Sequence, residues 1–180
     1  MCCTIGHDGI LKLWDFVNSK EIYQKQFVGE GTCIDWLPDS PANHGRVIVT
    51  GFSNGVIRVI QLDKNEFSIL NTFKAHDCAV AKVKFSSDSM MMVSAGVDGT
   101  LFFFELEPDN MQTYIPLCMI KLEAKINDFC WDSLAKKILV GLDNGYMYMI
   151  DRPKKASIDN TETYLVTLPM KQWKIKMMDF

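Results

Sequence analysis

Apolar and polar positions along this chain fall into short apolar runs separated by turn residues. The clearest case is Ser86 to Leu106, SSDSMMMVSAGVDGTLFFFEL, where the runs Met90 to Ala95 and Leu101 to Phe104 are joined through Asp98-Gly99. Asp-Gly between two hydrophobic runs predicts a tight hairpin, because a primed turn needs positive φ and these two residues tolerate it. Both runs are apolar almost throughout, whereas a half-exposed hairpin would alternate. Both faces of the hairpin therefore need cover, and further copies of it are the obvious source.

Such copies exist. Asp-Gly or Asn-Gly recurs with glycines at positions 9, 55, 99 and 145, spaced 46, 44 and 46 residues apart. The segments that follow, GILKLWD, GVIRVIQ, GTLFFFE and GYMYMID, each end in a polar residue six positions on: Asp15, Gln61, Glu105 and Asp151. A second marker keeps the same frame: Trp36, Phe85, Trp131 and Phe180 close the strand-like segments CIDW, KVKF, DFCW and MMDF at intervals of 49, 46 and 49. A period near 40–45 residues with several short strands per unit predicts an all-β, WD40-type β-propeller.

The repeat frame places a partial unit at 1–31, units at 32–72, 73–114 and 115–168, and the start of another at 169–180. The loop Pro38 to Gly45 is longer than its counterparts and rich in turn residues, and a polar insert runs from Arg152 to Thr163. This predicts about four four-stranded blades, the first and last partial, where a closed ring of this class takes about seven. The expected architecture is thus an incomplete propeller whose end blades expose apolar faces. As an alternative, Met177 to Phe180 supplies a strand missing from the first blade and closes a four-bladed ring.

Composition narrows the function. The 180 residues are 48% hydrophobic and 23% charged, with a formal net charge of −3. That is an ordinary globular balance, and its mild acidity argues against nucleic acid as a main partner. Met1 to Thr4 shows no secretory signal, and the longest apolar stretch is far below the ~20 residues a bilayer needs, so a cytosolic setting without membrane is expected. Six cysteines scattered through strand-like segments are expected to be free, buried thiols. Paired methionines such as Met91-Met92 read as core filling between blades.

His76, Ser94 and Asp98 fall within one repeat, and Ser/His/Asp is also the inventory of a hydrolase triad. No G-x-S-x-G elbow surrounds Ser94, which is followed by Ala95-Gly96. The set resembles the WD-repeat pattern of a histidine before the first strand, Ser or Thr on the second, Asp in the hairpin turn and Trp on the third. That resemblance implies a structural hydrogen-bond network of His76, Ser94 and Asp98, with Phe104 at the tryptophan place and unable to donate. In the first repeat the matches are Thr4, Asp8 and Trp14; in the second, Thr50 and Asn54, with Ile60 at the tryptophan place. In the fourth, Asn144 stands alone beside Val140 and Ile150. His7 near Cys2 and Cys3 lacks the spacing of a metal site, and Gly29-Glu30-Gly31 lacks the lysine and helix of a phosphate loop. No catalytic residue, metal, cofactor or small-molecule substrate is expected.

A closer resemblance lies in EGTCIDWLPDSPANHGRVIVTGFSNGVIRVIQL, FKAHDCAVAKVKFSSDSMMMVSAGVDGTLFFFELE and TETYLVTLPMKQWKIKMMDF. These stretches look like the axonemal WD-repeat family of cilia- and flagella-associated protein 44. What this implies is a non-enzymatic scaffold of the ciliary or flagellar axoneme that tethers inner dynein arm f to doublet microtubules and modulates beating. Its partners would be the inner dynein arm, the doublet microtubule and related WD-repeat proteins. The other reading is a general cytosolic WD-repeat adaptor that assembles a different complex.

Overall fold

The computed structural model describes residues 1–38, 46–63, 66–108, 110–154 and 170–174. Every regular element among them is a strand. The first antiparallel sheet has three strands, β1 (Cys2–Ile5), β2 (Ile10–Asp15) and β3 (Lys20–Gln26), in chain order. The second has β4 (Gly31–Trp36), β5 (Val47–Phe52), β6 (Val56–Asp63) and β7 (Glu66–Lys74). The third has β8 (Val80–Phe85), β9 (Met91–Gly96), β10 (Thr100–Glu107) and β11 (Asn110–Lys121), and the fourth β12 (Ile126–Trp131), β13 (Lys137–Leu142), β14 (Tyr146–Asp151) and β15 (Met170–Lys174). No helix among the described residues is long and apolar enough to cross a membrane.

Each sheet is a meander, and the sheets stack as blades with their first strands side by side, β4 against β8 and β8 against β12. Three apolar clusters fill the spaces between successive blades. All six residues of β9 are buried. Met91, Val93 and Ala95 point into the cluster shared with the fourth blade, and Met92 into the one shared with the second. This two-sided cover is why the strand does not alternate.

The hairpin turns repeat in detail. Gly9, Gly55, Gly99 and Gly145 hold φ of +73°, +78°, +86° and +81°. The side-chain oxygen of the preceding Asp8, Asn54, Asp98 or Asn144 accepts the amide of Ile10, Val56, Thr100 or Tyr146 at 3.0–3.2 Å. The register slips at matching points of the first three outer pairs, between Leu13 and Trp14, Val59 and Ile60, and Phe103 and Phe104. Such bulges bend and twist the outer strands.

Two expected boundaries differ from the structure. β11 continues to Lys121, so the third blade does not end at Tyr114; Pro116 pairs with Phe104 at the bulge of this outer strand, where its missing N–H is tolerated. β15 pairs with β14, placing Met170–Lys174 at the outside of the fourth blade instead of at the start of a fifth. Most of the long loop of the second blade, most of the 152–163 insert and the ring-closing Met177 to Phe180 lie outside the described residues. The six cysteines are free, but only Cys118 is buried; Cys130 is exposed and the other four are half-buried.

Candidate functional site

The richest polar cluster belongs to the third blade. His76 comes from the loop between β7 and β8 and is 2% exposed; Ser94 on β9 is 0% exposed. The imidazole bridges two hydroxyls, with Nε2 2.8 Å from Ser94 Oγ and Nδ1 2.8 Å from Thr100 Oγ1. Thr100 donates its hydroxyl to Asp98 Oδ1 at 2.6 Å. Lys121, at the end of β11, donates to the other carboxylate oxygen at 2.8 Å and to the Asp98 carbonyl at 2.6 Å.

The electrostatics fix the direction of these bonds. Burial alone would raise the Asp98 carboxyl, but hydrogen bonds from Lys121, Thr100 and Cys78 outweigh it and hold the group well below the usual carboxylate range. An ionised Asp98 can only accept, so Thr100 gives it the hydroxyl proton and takes the His76 Nδ1–H in turn. Nε2 then accepts from Ser94. Burial pushes the imidazole down to about 4, keeping it neutral. The chain of donors runs from Ser94 through His76 and Thr100 to Asp98.

This order looks like a hydrolase relay with Thr100 inserted, but the chemistry does not follow. Ser94 Oγ lies in a sealed core where a substrate carbonyl has no approach, and a nucleophile must reach the reacting atom. The donor atoms of His76, Cys78 and Asp98 lie within 4.8 Å of one another, a grouping that could hold a cation. Both ring nitrogens and both carboxylate oxygens are already engaged, and the Lys121 ammonium occupies the position of positive charge. The arrangement as folded ties a loop, a strand and a turn together.

The other matching residues assemble only in part. In the first blade Trp14 Nε1 donates to Thr4 Oγ1 at 2.9 Å, while Asp8 takes the Ile10 amide in its own turn. In the second, Thr50 is buried and its hydroxyl reaches the Arg58 carbonyl at 3.5 Å, and Asn54 serves its turn. Phe27 stands there where His76 stands in the third blade, and the Arg58 guanidinium lies 4.3 Å over Phe52 and 5.4 Å over Phe27. An aromatic–cation stack thus replaces the imidazole. In the fourth, Val140 and Ile150 are fully buried. Phe104, at the tryptophan place of the third blade, packs on Phe73 at 4.7 Å, and the His76 ring meets Phe102 edge-on at 4.9 Å.

Sequence reading missed Thr100 and a tie that recurs in three blades. Gln26, Lys74 and Lys121 each donate to the carbonyl of the turn residue, Asp8, Asn54 or Asp98, at 2.6 Å. Each sits opposite the first residue of the strand that follows the turn, as Ile10↔Gln26, Val56↔Lys74 and Thr100↔Lys121. The available signal was a long donor side chain at that register position, which stayed hidden while the end of β11 was misplaced.

Comparison with known proteins agrees with this architecture. The family "WD domain, G-beta repeat" matches residues 67–105, spanning β7 to β10. Cilia- and flagella-associated protein 44 of Mus musculus is 23% identical over 187 residues, covering 94% of this chain and 10% of that protein. The protein of the same name in Chlamydomonas reinhardtii is 34% identical over 102 residues, 55% of this chain and 6% of that protein. WD repeat-containing protein 91 of Gallus gallus is 30% identical over 162 residues, 88% of this chain and 19% of that protein. The chain spans only a small part of each relative. With the four meander sheets, the repeat makes the fold an incomplete WD40-type propeller.

Proposed function

We propose that this chain is a propeller segment of a non-enzymatic scaffold of the ciliary or flagellar axoneme, with the polar cluster of its third blade serving as a structural tie. The observation that carries the reading is the similarity to cilia- and flagella-associated protein 44 across 94% of the chain, which includes the loops as well as the hairpins that any WD repeat shares. In its finer form, the scaffold tethers inner dynein arm f to the doublet microtubule and tunes beating. The sealed position of Ser94 supports a role in holding partners instead of transforming a substrate.

A second reading, a cytosolic WD-repeat adaptor, is favoured by the 30% identity to WD repeat-containing protein 91 over 88% of the chain. Affinity purification of the tagged protein from ciliated cells separates the two. Recovery of axonemal dynein and tubulin supports the first; recovery of a soluble complex free of both supports the second.

A further inference from the structure

Two of the four hairpin turns carry Asn-Gly, at Asn54-Gly55 and Asn144-Gly145, where the other two carry Asp-Gly. In an Asn-Gly pair the glycine nitrogen can attack the side-chain carbonyl carbon of the asparagine. The N–Cγ bond forms, the glycine proton leaves with the side-chain nitrogen as ammonia, and one water opens the resulting succinimide to aspartate or isoaspartate. Both asparagines are exposed, and each side-chain oxygen accepts the amide two residues on, Val56 at 3.2 Å or Tyr146 at 3.1 Å. The electrophilic carbon is therefore alike in the two turns.

The attacking nitrogen is not. The Gly55 amide donates to Phe52 O at 3.0 Å, and the Gly55 carbonyl accepts the His76 amide at 3.3 Å. Lys74 Nζ donates to the Asn54 carbonyl at 2.6 Å. Gly55 is buried, so close to the next loop that a Cβ would lie 1.9 Å from the His76 carbonyl oxygen and 2.8 Å from that of Cys78. The peptide between Asn54 and Gly55 cannot swing its nitrogen towards Cγ without breaking these bonds. Gly145 is only half-buried, and its amide reaches Leu142 O at 3.3 Å.

The products differ as well. Asp98 shows how an aspartate sits in this turn: it keeps the Thr100 amide and takes Lys121 Nζ on its carbonyl at 2.6 Å and on its carboxylate at 2.8 Å. Lys74 holds the same register position, already on the Asn54 carbonyl, so a carboxylate at 54 would gain a cation. At 144 the nitrogen that would be lost donates to Glu123 Oε1 at 3.3 Å, so the new carboxylate would face another. Like charges that close repel. Glu123 belongs to the loop between β11 and β12, which the Asn144 bond fastens to the turn.

We propose that Asn144 is a site of spontaneous modification, converted by water to aspartate and isoaspartate as the protein ages. Conversion adds a negative charge and releases the loop entering the fourth blade, while the fold protects the identical dipeptide at Asn54. This holds whether or not the ciliary reading does.

The test incubates the full chain in mildly alkaline buffer, folded and in denaturant, and follows both peptides by mass spectrometry. An endoproteinase that cleaves before aspartate but not isoaspartate separates the products. In the folded chain Asn144 should convert about tenfold or more faster than Asn54, because a pinned site reacts only through opening. In denaturant the two rates should converge. Asn144→Asp should melt below the parent, and Glu123→Gln in the same chain should restore the melting; Asn54→Asp should melt no lower than the parent. Equal conversion of the two sites in the folded chain would overturn the protection of Asn54, and an Asn144→Asp variant that melts with the parent would overturn the release of the loop.

Discussion

His76 Nε2 lies 2.8 Å from Ser94 Oγ, which fastens the loop entering the third blade to its second strand inside the core. Ser94→Ala removes the donor and leaves a buried ring nitrogen without a partner. It should cost about 1–3 kcal/mol. Chemical denaturation of the parent and the variant measures this, and a change no larger than that of a surface substitution would show that the bond carries nothing.

Thr100 is the relay between ring and carboxylate. Thr100→Val keeps the shape but strands the His76 Nδ1–H, so it should destabilise by about 1–3 kcal/mol. Lys121→Met removes an ion pair whose two side chains are 49% and 41% exposed, and surface pairs of that kind contribute at most about 1 kcal/mol. The order of the two variants in a denaturation series is the check.

Stability should fall with acid from an unusually high pH. Burial sets the folded His76 near 4, while the unfolded residue titrates at about 6.5. Between these values the unfolded chain binds a proton that the folded chain refuses. The contribution is therefore full above about pH 6.5 and lost progressively down to about pH 4, by up to about 3 kcal/mol. Asp98, held below its usual range, adds a loss of the same sign at lower pH still. His76→Gln should flatten the upper part of the profile; equal slopes in variant and parent would contradict the assignment.

Four turn glycines share positive φ but not surroundings. A Cβ on Gly55 would lie 1.9 Å from the His76 carbonyl, whereas one on Gly145 meets nothing within 4 Å among the described residues. Gly145→Ala should cost the left-handed backbone penalty of about 1–2 kcal/mol, and Gly55→Ala, which adds a clash with the His76 carbonyl, clearly more. Thermal melts of the two variants decide it.

Much of this was legible because the repeat writes each feature several times. The turn at Asp98-Gly99 and the apolar runs beside it announce a hairpin covered on both faces, and His76, Ser94 and Asp98 do come together in space. Thr100 escaped notice because a threonine two residues after a turn aspartate is read as part of the turn; its second partner, His76, is 24 positions away. The outer strands were hardest to place. β11 carries a proline and two register shifts, so its end at Lys121 could not be found by alternation. Cys118 and Cys130 lie in similar strand-like sequence, yet burial pushes the first up to about 12 while the second is exposed, since only packing tells the faces apart.

The most direct test of the scaffold reading is fractionation of demembranated cilia from cells carrying the tagged native protein. The protein should remain with the salt-washed axoneme and sediment with doublet microtubules. Complete release into the detergent-soluble fraction, with diffuse cytosolic signal in intact cells, would contradict it.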